Sequence, residues 1–182
     1  GETIDYGPCA FMDTYDPATV YSSIDHQGRY AYANQPAIGL WNLARLAETL
    51  LPLLNDNTDK AIADATAAID AFAPRFDARL KAGVARKIGL TTERDGDAAL
   101  AEDLLKAMAD NKADFTNTFR RLGDAAASLG GDAAEHPAGD EAVRRLFADP
   151  AAYDAWAARW RARLAEEPGD GAAHRAAMHA VN

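Results

Sequence analysis

From Pro36 to Leu54 the chain places apolar side chains at Ile38, Leu40, Trp41, Leu43, Leu46, Leu50, Leu51 and Leu54. At about 3.6 residues per turn these positions point in nearly every direction around a helix axis. A helix apolar on all sides has no face for water, so the pattern predicts a helix buried all round at the centre of the domain. Pro36 suits its first turn, and Pro52 should end it or bend its last turn. On this reading Trp41 and Leu46 carry more of the fold than Trp160.

Other helices follow by the same periodicity. Asn57 or Thr58 can cap a second, whose stripe runs through Ile62, Ala65, Ile69, Phe72, Phe76, Leu80 and Val84. Pro74 should kink or split that run, and Gly89 is a plausible stop. A third helix is expected from about Asp97 to Met108, with Leu100, Leu104, Leu105 and Met108 inward. A fourth carries Phe115, Phe119 and Leu122 and ends at Gly123. Residues 129–140 have no periodicity and read as a linker. Val143, Leu146 and Phe147 then mark a short helix stopped by Asp149-Pro150. Tyr153, Trp156, Trp160 and Leu164 repeat at helical spacing, a stripe better suited to core packing than to a ligand platform. A last short helix spans about 171–180.

The balance of charge narrows the function. The net charge is −9 and the pI about 4.8, and an acidic chain repels phosphate backbones, which disfavours nucleic-acid binding. No apolar run approaches the ~20 residues a membrane span needs. Cys9 is the only cysteine, so no internal disulfide can form, and the surroundings are expected to be reducing. Set between Pro8 and Ala10 with no cation in the local sequence, Cys9 reads as a packed residue and not a reactive thiol. There is no Gly-rich phosphate loop, no Ser-His-Asp set and no dinucleotide fingerprint.

The first 34 residues are rich in Gly, Pro, Asp, Tyr and Ser. Thr3-Ile4-Asp5-Tyr6-Gly7-Pro8 reads as a short strand that delivers Asp5 into a tight turn. Asp16-Pro17 and Gln27-Gly28 are further turn signals. A long irregular segment in a compact domain is usually functional. Its aromatics, Phe11, Tyr15, Tyr21, Tyr30 and Tyr32, suggest a loop pinned to the body. Asp5-Tyr6-Gly7 has the layout of the Asp-Phe-Gly triplet with which protein kinases hold ATP-bound magnesium. Taken alone, the triplet more often marks only a turn than a metal ligand.

The blocks around it carry more. Thr3-Ile-Asp-Tyr-Gly-Pro8, Asp25-His-Gln-Gly-Arg-Tyr30, Asn34-Gln-Pro36 and Trp41-Asn-Leu-Ala-Arg-Leu46 follow one another at close spacing. This succession resembles the SelO family of kinase-like protein adenylyltransferases. Lys112–Leu122 and Met178–Asn182 are similar to it as well, and the match is weakest between about 124 and 172.

The resemblance implies a mainly α fold, the C-lobe-like part of a protein-kinase-like (pseudokinase) fold with a short N-terminal strand and a long activation-segment-like loop. It implies transfer of AMP from ATP to Ser, Thr or Tyr of target proteins, with Mg2+ or Mn2+ held in part by Asp5. It also implies that an upstream Lys-Glu pair, an Asp-Asn pair carrying the catalytic base, and a redox-active C-terminal residue in some members lie outside these 182 residues. The chain is therefore expected to be an internal fragment, with no catalytic residue of its own and no activity alone. ATP and protein substrates are the expected partners of the intact enzyme, and no nucleic acid or membrane is expected. Its setting would be the cytoplasm in bacteria and the mitochondrion in eukaryotic relatives. The expected organisation is 1–34 as metal-binding turn and loop, 35–128 as helical core, 129–140 as linker, and 141–182 as a C-terminal helical segment of the same domain.

Other candidates have plainer readings. Asp25-His26-Gln27-Gly28-Arg29-Tyr30 holds an acid, an imidazole and a cation. Such loops more often brace their neighbours through hydrogen bonds and an Asp-Arg pair than touch substrate. His26 has no second His or Cys at zinc-ligand spacing. His136, His174 and His179 suit solvated or packing roles, and Arg120-Arg121 and Arg144-Arg145 suit solvated helix faces. Thr14, Ser22 and Ser23 are hydroxyls within the proposed activation segment. Two rival functions stay open: an ordinary kinase-like phosphotransferase, which the same triplet would serve, and a non-catalytic helical interaction module.

Overall fold

The computed structural model describes residues 11–128 and 138–182. Within them lie eight helices: α1 (Gln35–Leu54), α2 (Thr58–Asp70), α3 (Phe72–Lys87), α4 (Asp97–Asp110), α5 (Phe115–Ala126), α6 (Ala138–Arg144), α7 (Pro150–Leu164) and α8 (Gly171–His179). A 3-10 turn at Tyr32–Asn34 leads into α1. Among the described residues there is no strand, only an isolated antiparallel bridge between Thr14 and Asp114. The expected strand at residues 3–6 and most of the expected linker lie outside the described residues. α6 begins at Ala138, inside the stretch read as linker.

Helix boundaries follow local chemistry. The side chains of Asn57, Asp114, Asp149 and Asp170 each accept a backbone N–H in the first turn of α2, α5, α7 and α8. The long predicted run breaks at Ala71, between α2 and α3, and not at Pro74. Pro74 falls in the first turn of α3, where its missing N–H leaves no helical bond unmade. α3 ends as Gly89 predicts. With φ at +85° Gly89 takes the left-handed conformation, and its N–H reaches Arg86 while that of Leu90 reaches Ala85.

The described chain divides into two compact units, Pro17–Leu80 with Phe11, and Met12–Asp16 with Lys81–Asn182, the boundary falling inside α3. The second unit holds nearly all of the core. Trp160, Tyr153, Leu104, Met108, Phe119, Leu122, Leu164 and Met178 are fully or almost fully buried. Trp156 and Trp160 stack with ring centres 5.4 Å apart. Their indole N–H groups donate to the carbonyls of Leu100 and Ile88, each at 2.8 Å, so neither buried donor is left unpaired. Small residues let α5 approach its neighbours. A Cβ on Gly139 of α6 would stand 2.7 Å from Ala125, and one on Gly171 of α8 would stand 2.6 Å from the Ala127 carbonyl.

The first unit is different, and here the sequence expectation fails. α1 packs with α2, yet no residue of α1 is buried. Trp41 is 48% exposed, Leu46 53% and Leu53 81%, against 0% for Trp160. All-round apolarity reports how many faces a helix would bury, and among the described residues α1 buries none of its side chains fully. The α7 stripe is the core of the second unit, whereas α1 has no buried residue.

Candidate functional site

Asp5, the one residue assigned to a metal, lies outside the described residues, as does Cys9. The structure takes up the chain just downstream of them. Tyr15 donates its N–H to the Ala113 carbonyl at 2.8 Å, and Phe115 donates to Asp13 at 2.7 Å. The rings of Tyr15 and Phe115 stack at 5.4 Å, and Tyr15 is buried. The start of the loop is thus tied to the entry of α5.

Residues 17–34 fold on themselves. Tyr32 and Ala33 donate backbone N–H groups to Thr19 and Pro17, each at 2.9 Å. The Asp25 carboxylate accepts from the backbone N–H groups of Arg29 and Tyr30, each at 2.8 Å. Asn34 reaches the Gly28 carbonyl at 2.8 Å and Gln35 the Tyr30 carbonyl at 2.5 Å. Gly28 takes φ +64° to close this turn. Asp25-His-Gln-Gly-Arg-Tyr30 is therefore a brace, as its composition suggests, though by another route than the expected Asp-Arg pair. Among the described residues no Asp25–Arg29 ion pair forms; the carboxylate takes two backbone N–H groups and the guanidinium turns to Trp41.

The Arg29 guanidinium instead lies over Trp41, 4.7 Å from the ring centre, and Arg45 lies 5.7 Å from the same ring. Arg45 also pairs with Glu48 at 2.6 Å. A guanidinium over an indole is attracted by the ring's negative face. This stack fastens the loop to α1, and sequence spacing alone did not reveal it. Burial raises the hydroxyl pKa of Tyr32. It raises that of Tyr21 too, with Tyr32 adding to the effect. His26 is exposed, as are the hydroxyl-bearing Thr14, Ser22 and Ser23.

The strongest polar cluster lies in the second unit, and periodicity did not single it out. Glu167 is buried and accepts from the N–H and hydroxyl of Thr91, at 2.8 and 2.6 Å, and from the N–H of Thr92 at 3.0 Å. The Thr92 hydroxyl donates to its other oxygen. Arg163 stands 2.7 Å from both Glu167 and Asp97. Burial works against ionising Glu167, but the hydrogen bonds from Thr91 and Thr92 outweigh it and hold its pKa at about 2. The cluster ties the end of α7 to the turn before α4. Its one sequence signal is the four-residue spacing of Arg163 and Glu167.

The remaining candidates are structural. His174 is buried in α8, and His179 stands 3.2 Å from Asp124, which also takes Arg175 at 2.9 Å. His136 lies outside the described residues. Arg144 and Arg145 both pair with Glu141, Arg120 reaches the Asn182 carbonyl at 2.8 Å, and Arg121 stands 3.9 Å from Asp124. Among the described residues no three His, Cys, Asp or Glu side chains converge as a metal site. A shallow depression of about 360 Å³ is lined by Ala127, Ala172, Arg175, Ala176 and His179. It offers a phosphate a single guanidinium, already held by Asp124. No helix of the described residues is long and apolar enough to cross a membrane.

The chain matches one family along its whole length. The family is described as Protein adenylyltransferase SelO, the match runs over residues 1–182, and the chain belongs to it. It is 62% identical over all 182 residues to the Protein nucleotidyltransferase YdiU of Methylorubrum extorquens (strain PA1). It is 61% identical to the protein of that name from Bradyrhizobium diazoefficiens and 58% identical to that of Rhodopseudomonas palustris (strain BisB5). The chain covers 36% of the first relative and 35% of the other two, so it spans about a third of their length.

Proposed function

We propose that this chain is the loop-and-helix third of a protein adenylyltransferase that moves AMP from ATP to Ser, Thr or Tyr hydroxyls of other proteins. The observation that carries this reading is the family match over the entire chain, joined to bacterial relatives named protein nucleotidyltransferases. On this reading the fold is the C-lobe-like part of a kinase-like fold, and residues 11–34 occupy the place of an activation segment. In a bacterial cell the enzyme would work in the cytoplasm.

Asp5 would hold Mg2+ or Mn2+. A carboxylate oxygen suits these hard cations. When bound, the metal supplies neutralisation of phosphate charge. One carboxylate is a partial donor set, which fits a metal completed by phosphate oxygens and by ligands outside this chain. The task of the described residues is positioning. The Tyr15–Phe115 stack anchors the loop residues of the second unit, and the Asp25 brace and the Arg29–Trp41 contact anchor those of the first.

The test is mass spectrometry of a target protein incubated with ATP, magnesium or manganese, and the full-length enzyme. An AMP adduct is expected. A phosphate adduct would support the kinase alternative, and no adduct would leave a helical interaction module. On this reading the 182-residue chain alone transfers nothing, because Asp5 would be its one metal ligand and the catalytic base would lie outside it.

A further inference from the structure

Acids outnumber bases in this chain, 28 to 19, and over most of the second unit arginines stand against carboxylates. Arg94 pairs with Glu166, Arg145 with Glu141 and Arg159 with Asp103. One face of that unit departs from the pattern, where the end of α3 meets α5 and the end of α8. Lys87 donates to the Val181 carbonyl at 3.1 Å and to the side-chain oxygen of Asn182 at 2.9 Å, and its Nζ lies 5.3 Å from the centre of the Phe119 ring. Arg120 donates to the Asn182 carbonyl at 2.8 Å. Among the described residues neither pairs with a side-chain carboxylate. Arg121, Arg175 and His179 share a single one, that of Asp124, at 3.9, 2.9 and 3.2 Å. Four fixed cations, Lys87, Arg120, Arg121 and Arg175, thus stand with one carboxylate. Arg120, Arg121 and Arg175 are exposed. The shallow depression lined by Ala127, Ala172 and Ala176 opens beside Arg175 and His179.

We propose that this face, built on Lys87, Arg120, Arg121 and Arg175, docks an acidic peptide segment of another protein. Charge complementarity carries the inference: a cationic patch selects partners of opposite sign and speeds their encounter. The net charge of −9 repels a long polyanion. A short segment is different, because at physiological salt charges more than about 8 Å away are largely screened and the local patch dominates. The arrangement of the cations also favours carboxylates over phosphate. The depression offers a phosphate one guanidinium already held by Asp124, whereas cations spread over α3, α5 and α8 suit carboxylates spaced along an extended chain. The inference stands apart from the reading of AMP transfer.

The experiment is fluorescence anisotropy of a fluorescein-labelled hexaglutamate peptide titrated with the full-length protein, beside a hexaglutamine peptide. The unaltered protein is expected to bind hexaglutamate and not hexaglutamine, more weakly as salt rises from about 50 to about 300 mM. The combined variant Arg120→Gln, Arg121→Gln, Arg175→Gln should bind at least about fivefold more weakly. A control removes the same charge from paired and exposed arginines, Arg94→Gln, Arg145→Gln, Arg159→Gln, and should bind as the parent does. Thermal melts confirm that both variants are folded, and the salt dependence of the unaltered protein needs no variant at all. Absence of hexaglutamate binding, or equal binding of hexaglutamine, overturns the proposal. Equal weakening by both variants overturns it in favour of diffuse attraction. Tripolyphosphate displacing the peptide at lower concentration than unlabelled hexaglutamate overturns it in favour of a phosphate ligand. Binding seen only after Asp132→Asn and Glu135→Gln overturns it in favour of the chain's own acids. No ATP enters the measurement. An inactive enzyme that binds hexaglutamate removes the proposed function alone, and an active one that does not removes this inference alone.

Discussion

The indole N–H of Trp160 donates to the carbonyl of Ile88 across 72 positions of sequence, at 2.8 Å and with both residues fully buried. That bond ties the middle of α7 to the residue after α3, and it sits among Trp156, Leu164 and Met178, all of them at most 2% exposed. Trp160→Ala would leave a large cavity and an unpaired buried carbonyl. The expected loss is about 3–5 kcal/mol. Trp41→Ala removes a half-exposed ring and two guanidinium contacts, a loss of about 1–2 kcal/mol. Denaturant unfolding of the 182-residue chain checks the order, and equal losses would place the core elsewhere.

Two glycines should respond in opposite directions to the same change. A Cβ on Gly171 would meet the Ala127 carbonyl oxygen at 2.6 Å, a backbone atom that cannot swing aside. Gly171→Ala is expected to cost about 1–3 kcal/mol by forcing α8 off α5. Gly83, inside α3, has nothing within 4 Å of its Cβ position. Gly83→Ala is expected to stabilise by about 0.5–1 kcal/mol, since alanine restricts the unfolded chain and favours helix. Thermal melts of the two variants side by side decide it.

Glu167 makes stability depend on acid. Its folded pKa, about 2, lies below the ordinary value of 4.5. The stabilisation is therefore fully present above about pH 4.5 and is lost as pH falls toward 2. The shift corresponds to a contribution on the order of 3 kcal/mol. Glu167→Gln should flatten that part of the stability–pH curve and lower stability at neutral pH, because the amide cannot accept from both threonines and pair with Arg163. A variant whose stability still falls as steeply as the parent's between pH 5 and 3 would assign the acid sensitivity to other carboxylates.

Much of the second unit was legible from spacing. The Tyr153, Trp156, Trp160 and Leu164 stripe was expected as core and is buried. The Gly89 stop and the Asn57 cap stand where local chemistry puts them. In α1 periodicity and burial part company. Periodicity records which faces of a helix are apolar, but burial also needs a partner, and among the described residues α1 buries none of its side chains fully. The candidate site was legible as blocks and not as contacts. Asp25 was expected to brace the loop and does, yet through backbone N–H groups, which spacing cannot distinguish from a side-chain pair. The Glu167 cluster joins residues more than seventy positions apart, and no local pattern announces such a meeting.

Asp5 carries the sharpest prediction for the full-length enzyme. On the proposed function, Asp5→Ala should abolish AMP transfer while leaving the melting temperature nearly unchanged, since alanine would remove a metal anchor and offer no oxygen in its place. Asp5→Asn separates the two roles that an aspartate before an aromatic and a glycine can have. Asparagine suits a turn as well as aspartate does, so a purely structural Asp5 tolerates it. A neutral amide oxygen binds a hard cation more weakly than a carboxylate, so a metal-holding Asp5 does not. The expected result for Asp5→Asn is loss of transfer with the fold intact, eased in part by raising magnesium or manganese. Near-normal AMP transfer by Asp5→Asn at ordinary metal concentration would reduce Asp5 to a turn residue and leave the metal to ligands outside this chain.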